Sequence, residues 1–180
     1  MSTGQWIVLA AAAVIVFWMV GGYNRLVAMR STIGEACRQL DELLLRRTEA
    51  AAALAAQARQ ALAGEEGAID AWQAASTASR KAADALRARP VNAELAQALV
   101  GSESALAASA ARVLALLEQQ QAQLAAAATE QLAALRELDG RIGFARQVFN
   151  EAAKAYDAAL AEFPTRGLAR LYRFTPAGRL

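Results

Sequence analysis

The feature that most constrains this chain is an apolar stretch without formal charge from residue 5 to residue 23. A helix of about 19 residues, rising ~1.5 Å per residue, is long enough to cross the ~30 Å hydrocarbon core of a bilayer. Trp6 lies near one end of the stretch, and Trp18 and Tyr23 lie near the other, where amphipathic rings favour the headgroup level. The stretch therefore predicts a transmembrane helix over residues 5–23, preceded by a short outer tail of residues 1–4.

Two alternatives compete with this interpretation. A cleaved signal peptide would need a basic segment before the apolar run, and residues 1–4 contain no lysine or arginine, although Val20-Gly21-Gly22 resembles a cleavage site. A buried core helix rarely carries so long an uncharged run. The basic residues instead follow the stretch, at Arg25, Arg30, Arg38, Arg46 and Arg47. The positive-inside rule then predicts that the N-terminus lies outside and that the body is cytoplasmic.

The composition favours helices and argues against most catalytic and metal chemistry. More than a quarter of the chain is alanine, whereas only 11 residues are glycine and 3 are proline. The chain has no histidine, and the single Cys37 can form neither an intramolecular disulfide nor a cysteine cluster. We therefore expect no enzyme activity, no catalytic residue, no cofactor and no metal site.

The charged residues do not indicate a nucleic-acid partner. The chain has 19 basic and 17 acidic residues, which are interspersed along its length. The densest basic cluster is interleaved with Asp84 at the end of a predicted helix, where cations already complement the helix dipole. This cluster consists of Arg80, Lys81, Arg87 and Arg89. The sequence therefore predicts a partner other than nucleic acid.

Beyond the apolar stretch, hydrophobic residues recur every three or four positions and divide into helical segments. The first segment runs from Asn24 to about Ala63, and Gly64 marks its end. The second ends before Pro90, because proline cannot continue a helix. Asn92 is typical of an N-cap and begins the third segment.

The fourth segment has the clearest heptad pattern, from Leu135 to Phe163, and Pro164 stops it. The third segment either ends in the polar run 119–123 or continues into the fourth as one long rod. Amphipathic segments joined by short connections predict an antiparallel four-helix bundle over residues 24–163, with long first and last helices. The expected fold class is therefore all-α.

The last segment, residues 164–180, is a basic and apolar tail without an acidic side chain. If the first helix leaves the membrane, the fourth helix returns toward it, so we expect the tail near the inner leaflet. Each basic residue there contributes about 1 kcal/mol on anionic headgroups. The expected surface contacts are Arg166, Arg170, Arg173 and Arg179. The alternative is that Leu171, Tyr172 and Phe174 fold back on the bundle while the arginines stay solvated.

Arg47 lies on the apolar stripe of the first helix, at the heptad position of Leu40 and Leu54, where a buried cation needs a partner. The fourth helix offers three acceptors: Asn150, Glu151 and Asp157. We therefore predict a polar layer that fixes the register between the first and fourth helices. The alternative is that Arg46 and Arg47 form an exposed pair that binds an acidic partner.

Three segments carry recognisable motifs. Residues 23–27 read Tyr-Asn-Arg-Leu-Val, residues 43–47 read Leu-Leu-Leu-Arg-Arg, and residues 141–150 read Arg-Ile-Gly-Phe-Ala-Arg-Gln-Val-Phe-Asn. These segments resemble conserved segments of the LemA family, a group of bacterial membrane-anchored helical proteins. The positions that carry the resemblance are Tyr23, Asn24, Arg46, Arg47, Arg141, Arg146, Phe149, Asn150, Tyr156, Phe163 and Pro164. The chain departs from the family where residues 48–53 and 119–123 lack its prolines, and where Asp157 replaces its asparagine.

The resemblance implies a four-helix bundle behind an N-terminal anchor, as a single-pass protein of the bacterial inner (plasma) membrane. It implies no reaction, so the expected role is a scaffold or adaptor for another membrane or envelope protein. A membrane metalloprotease is one partner class that the resemblance suggests. The second hypothesis is a bundle that senses or remodels lipid through its basic tail.

Overall fold

The computed structural model describes residues 3–62, 64–119, 126–163 and 165–180, and these parts of the chain are helical with no strand. The chain is thus all-α, as predicted. The helices are α1 (Thr3–Ala61), α2 (Glu66–Ala88), α3 (Ala93–Gln119), α4 (Ala126–Ala161) and α5 (Thr165–Leu171).

Helix α1 continues without a break from the apolar stretch into the rest of the molecule. None of residues 5–23 is buried, and by length and composition this part of α1 is a candidate membrane span. Helix α3 also passes that test of length and apolarity, although it packs against α2. Because α1 is one helix, the apolar stretch is rigidly joined to the helical body, which we define as residues 24–180.

Local sequence signals account for the boundaries between α2, α3 and α4. Helix α2 ends at Ala88, just before Pro90, as expected for a residue that lacks a backbone N–H. Asn92 caps α3, because the backbone N–H of Leu95 donates to its Oδ1 at 2.9 Å. Helix α3 ends at Gln119, and the predicted break between the last two long helices falls largely in residues 120–125, which lie outside the described residues.

The end of α4 differs from the prediction. The heptad pattern placed Phe163 on the buried stripe, but α4 ends at Ala161 and Phe163 is 88% exposed. The pattern was therefore extended too far, because a residue keeps its heptad face only while the helix continues.

Helix α5 was not predicted, since residues 164–180 were described only as a basic and apolar tail. Its Leu168 and Ala169 are buried, and packing on the helical body stabilises a helix too short to be stable alone. Arg173 adopts a φ of 54°, and the N–H of Phe174 donates to the Ala169 carbonyl at 2.9 Å. This reversal directs residues 174–180 back along the helical body.

Buried side chains form two clusters along α1, which packs against both α4 and α2, while α2 also packs against α3. Within the described residues, α3 and α4 approach each other much less closely. The cluster beside the apolar stretch is the proximal core, and it includes Leu26, Ile33, Leu40, Leu99, Phe149 and Tyr156. The other is the distal core, and it includes Leu54, Ile69, Trp72, Leu106, Val113 and Leu135.

Candidate functional site

A layer of polar side chains separates the proximal core from the distal core. Each long helix contributes to it where one core gives way to the other. The members are Arg47 of α1, Ser79 of α2, Glu103 of α3, and Asp139 and Arg146 of α4. We call this group the polar layer.

Glu103 lies at the centre of the polar layer, and only 7% of the residue is exposed. Its Oε1 accepts a hydrogen bond from Arg47 Nη2 at 2.5 Å and another from the Ser79 hydroxyl. Its Oε2 accepts a hydrogen bond from Arg146 Nη2 at 2.6 Å. Both oxygens of the buried carboxylate are therefore paired, and two of the three partners are charged.

The electrostatics of the polar layer keep Glu103 ionised at neutral pH. Burial alone would raise the pKa of Glu103, but the hydrogen bond and charge of Arg47, together with Ser79 and Arg146, outweigh burial and hold that pKa below its ordinary value. A second carboxylate, Asp139, lies 3.8 Å from Arg47 Nη1 and is mostly exposed. Glu103 therefore acts as a hydrogen-bond acceptor that ties three helices to one carboxylate.

This arrangement corrects the predicted partners of Arg47. The predicted acceptors on the fourth helix were Asn150, Glu151 and Asp157, but Arg47 bonds mainly to α3 and reaches α4 only at Asp139. Glu151 is exposed, while Asn150 and Asp157 bind the end of the chain. A polar layer around Arg47 exists, but its chief bond joins α1 to α3.

Sequence reasoning missed Glu103 because it sought partners for Arg47 only on the fourth helix. The buried positions of α3 include Ala96, Leu99, Glu103 and Leu106, which alternate three and four apart. The sequence did contain a signal for this pair. Glu103 is a single carboxylate on the buried stripe of α3, and Arg47 is a single arginine on the apolar stripe of α1, so each needs a partner of opposite charge.

Residues 174–180 pack between α3 and α4 beside the proximal core. The side-chain amide of Asn150 donates to the Leu180 carbonyl at 2.7 Å, and the Leu180 N–H donates to Asn150 Oδ1 at 2.8 Å. Asp157 Oδ1 accepts the N–H of Ala177 at 2.8 Å, and Arg179 lies 3.5 Å from Oδ2 of the same carboxylate. We call residues 174–180 the docked tail.

Gly178 of the docked tail lies directly against the first turn of α3. A Cβ atom added to Gly178 would lie 2.5 Å from Ala96 Cβ and 2.7 Å from Ala93 Cα. Since the second contact is with backbone, a larger side chain cannot be accommodated by a rotamer change alone. Glycine is therefore required for this approach.

A cleft of about 420 Å³ opens between α3 and α4 where the docked tail ends. Leu180 lies at its border, together with the four charged members of the polar layer: Arg47, Glu103, Asp139 and Arg146. The rest of the lining is mainly apolar or small, and includes Trp72, Leu106, Ala107, Ala110, Leu114, Leu135 and Gly143. A cleft of this size, with apolar walls and a few polar groups, is suited to hold part of another molecule.

Another surface lies where α1 emerges from the helical body. The Tyr23 ring lies 5.0 Å from that of Tyr172 and 6.0 Å from that of Phe174, measured between centroids. Phe174 is partly buried and also receives the guanidinium of Arg30 at 5.4 Å, whereas Leu171 is 64% exposed. Phe174 thus folds back on the helical body, as the second alternative for the tail predicted, whereas Leu171 does not.

The remaining motif residues occupy distinct environments. Phe149 and Tyr156 are fully buried in the proximal core, whereas Asn24, Arg46 and Arg141 are exposed. Pro164 lies outside the described residues. Of the predicted anchor residues, Trp6 and Trp18 are exposed on α1.

Buried Asp41 joins α1 to α2. Its carboxylate pairs with Arg80 and Arg87 of α2, which accounts for two cations of the basic cluster.

Cys37 is buried in the proximal core, and burial raises the pKa of its thiol to about 11. Within the described residues, no group of three histidine, cysteine, aspartate or glutamate side chains is placed to hold a metal ion.

Comparison with known proteins identifies one family. A model described as the LemA family matches residues 36–179, which is most of the chain. The matched region includes the polar layer, the cleft, α5 and most of the docked tail, and it begins after the apolar stretch. No curated protein matches the sequence.

Proposed function

The chain belongs to the LemA family, and we propose that it is a non-catalytic, membrane-anchored adaptor that binds another membrane or envelope protein. The observation that carries this proposal is the open cleft between α3 and α4, in a helical body that is rigidly joined to an exposed apolar helix.

The membrane part of the proposal is that residues 5–23 cross the bacterial inner membrane once, with the N-terminus outside and the helical body in the cytoplasm. The absence of any buried residue in this apolar segment supports a lipid environment, because so much apolar surface is costly in water. The first arginine after the segment, Arg25, is exposed and supports the orientation by the positive-inside rule.

The architectural part of the proposal is that α1–α4 form an antiparallel four-helix bundle. Ion pairs between α1 and α2 support opposite directions for these neighbours. Arg59 lies 2.6 Å from Asp70 Oδ1, close to the connection between the helices, whereas the earlier Asp41 pairs with the later Arg80. Such a bundle presents a stable outer surface at a fixed distance from the membrane.

The proposed occupant of the cleft is an apolar segment of the partner that continues the path of the docked tail. The docked tail already occupies the space between α3 and α4 up to Leu180, and the cleft begins there. The small side chains of Ala107, Ala110 and Gly143 allow close backbone approach, and Leu135 offers apolar contact. The family resemblance suggests a membrane metalloprotease as one partner class.

The non-catalytic part of the proposal rests on the state of the polar layer. Both oxygens of Glu103 are occupied by hydrogen bonds from its own chain, and the lowered pKa of Glu103 opposes its use as a proton donor. The chain also contains no histidine that could act as a base near neutral pH.

Site-specific photocrosslinking in native membranes tests the adaptor role. A photoreactive phenylalanine analogue is placed at Ala107, which lines the cleft, or at the neighbouring Ala108, which is also exposed but does not line it. We expect a discrete adduct with a membrane or envelope protein from position 107 and little from position 108. Introducing Ala110→Trp should fill the cleft and abolish the adduct. Equal adducts from both positions, or none from either, would contradict the proposal.

A further inference from the structure

A basic and apolar surface is formed by α5 and the residues beside it. Phe163 is 88% exposed, Leu171 is 64% exposed and Tyr172 is 52% exposed. Three exposed arginines lie between and beside these side chains in the sequence, at positions 166, 170 and 173. We call these six residues the α5 surface.

The α5 surface lies beside the point at which the apolar stretch ends. The Tyr172 ring packs against that of Tyr23, the last residue of the stretch. Helix α5 itself approaches α1 at Gly22, where an added Cβ would lie 2.7 Å from Leu168 Cδ1. Because Tyr23 belongs at the headgroup level if residues 5–23 span a bilayer, the α5 surface lies at that same level.

The charge of the α5 surface is not neutralised from within the chain. In the ranges 3–62, 64–119, 126–163 and 165–180, no ion pair forms to the guanidinium groups of Arg166, Arg170 or Arg173. Arg25, two residues after Tyr23 on α1, is also exposed. Arg179, the fourth arginine expected at the membrane, lies beside Asp157 on the docked tail and does not belong to this surface.

The α5 surface is held in place by contacts on both sides of it. Thr165, Leu168 and Ala169 are buried, and they attach α5 to the helical body. The docked tail then fixes the chain after Arg173 through its bonds to Asn150 and Asp157. Leu171 and Tyr172 therefore stay exposed, because burial of the opposite face of α5 prevents this helix from rotating about its axis.

We propose that the α5 surface binds the anionic headgroups of the bilayer that residues 5–23 span, so that the protein contacts the membrane at two points. This inference rests on the proposed membrane anchor. Charge complementarity and continuity with the anchor identify the lipid surface as the occupant: arginines attract anionic headgroups, while Leu171 and Tyr172 enter the boundary with the acyl chains. The second contact fixes the tilt of the helical body and thereby the direction in which the cleft opens.

Fluorescence quenching in lipid vesicles tests the inference with the full-length protein. A bimane label is attached to Leu171→Cys, and to Ala108→Cys on the outer face of α3 as a control. Cys37 should remain unlabelled because it is buried and its pKa is raised to about 11, and the parent chain checks this. The vesicles contain phosphatidylcholine with a nitroxide on the headgroup, with or without phosphatidylglycerol.

We expect strong quenching of bimane fluorescence at position 171 and little at position 108. Quenching at position 171 should increase about twofold when phosphatidylglycerol is present. The variant Arg166→Gln/Arg170→Gln should lose this increase, whereas Arg89→Gln/Arg112→Gln, which removes two exposed arginines elsewhere, should keep it. Equal quenching at positions 171 and 108 would overturn the inference, as would an unchanged response in the Arg166→Gln/Arg170→Gln variant.

A third label separates failure of this inference from failure of the anchor. Bimane on Val14→Cys should be quenched by lipids that carry the nitroxide deep in the acyl chain. Quenching at position 14 without quenching at position 171 would leave the anchor in place and overturn only the α5 contact. Absence of quenching at position 14 would overturn both.

Discussion

The proximal and distal halves of the helical body are built from the same long helices but are closed differently. In the proximal half, the docked tail fills the space between α3 and α4, with Gly178 against α3 and Asn150 of α4 holding Leu180. In the distal half no such segment is present within the described residues, and the cleft occupies the equivalent space. The polar layer lies between the two halves.

This difference indicates how a chain rich in alanine can form both a packed core and a binding cleft. Alanine allows helices to approach closely, but its small side chain leaves the space between more distant helices unfilled. Where α3 and α4 diverge, another segment must supply the missing contacts. The protein supplies that segment from its own C-terminus in the proximal half, and we propose that a partner supplies it in the distal half.

The largest expected effect comes from the polar layer. Glu103→Leu leaves the cations of Arg47 and Arg146 without their shared acceptor, and we expect the free energy of unfolding to fall by about 3–5 kcal/mol. The combined variant Arg47→Met/Glu103→Leu/Arg146→Met should regain most of the loss, because no buried charge remains. Urea unfolding of the full-length protein in detergent, followed by circular dichroism, measures both. A triple variant as unstable as the single variant would contradict this account.

The packing of the two halves is compared by making the same substitution in each. Ala153 is fully buried in the proximal core, so Ala153→Leu should overpack it and cost about 1–3 kcal/mol. Ala110 lines the cleft, so Ala110→Leu should be tolerated. New apolar contacts should raise the free energy of unfolding by about 1 kcal/mol. The same unfolding measurement applies, and similar losses at both positions would show that the distal half is already filled.

Closure of the proximal half is tested at Gly178. We expect Gly178→Ala to lower stability by about 1–2 kcal/mol, because its Cβ would overlap Ala93 and Ala96. Gly101→Ala is the matched control, since nothing lies within 4 Å of its added Cβ and alanine favours a helix by about 1 kcal/mol over glycine. Hydrogen exchange of the Leu180 amide reports undocking directly. Unchanged protection in Gly178→Ala would contradict the role of close approach.

The polar layer should also make stability depend on pH. The folded-state pKa of Glu103 lies below its ordinary value of 4.5. The contribution of its ion pairs to the free energy of unfolding is therefore complete above that ordinary value and is lost as pH falls through the folded-state pKa. Acidification from neutral pH should therefore destabilise the wild-type protein more than Glu103→Gln. Thermal unfolding across an acid pH series measures the difference, and parallel curves for the two proteins would argue against a lowered pKa.

The smallest expected effect concerns a polar atom inside the proximal core. The Tyr156 hydroxyl is buried and has no hydrogen-bond partner in the described part of the chain, and burial raises the pKa of Tyr156. Tyr156→Phe should therefore leave stability unchanged or raise it by up to about 1 kcal/mol. The exposed Tyr172→Phe serves as the control in the same melting experiment. A marked loss in Tyr156→Phe would indicate a partner for the hydroxyl.

Much of the local structure could be predicted from the sequence. The buried face of α2 is an example, because its buried residues follow the three-and-four spacing that predicted the helical segments: Ile69, Trp72, Ser76, Ser79, Ala83 and Leu86. The Asn92 cap and the end of α2 before Pro90 were also predicted correctly. These features depend on neighbours within a few residues, so helical periodicity and capping chemistry are sufficient to identify them.

The candidate sites were less predictable. Sequence reasoning placed Arg47 on a buried stripe but assigned it partners on the fourth helix, and it did not identify Glu103 as the shared acceptor. It also treated residues 164–180 as one unit, whereas the structure divides them into α5, exposed on one side, and the docked tail. Each error concerns a choice between surfaces that lie far apart in the chain.

The sequence by itself determined that this protein is helical, where most of its helices begin and end, and that an apolar stretch precedes the body. Only the tertiary structure decided that Glu103 binds Arg47 and Arg146, that the chain end closes the proximal half, and that a cleft remains in the distal half. The physical reason is that a helix forms from contacts within four residues, whereas the rotation and axial position of one helix against another depend on packing across the whole molecule.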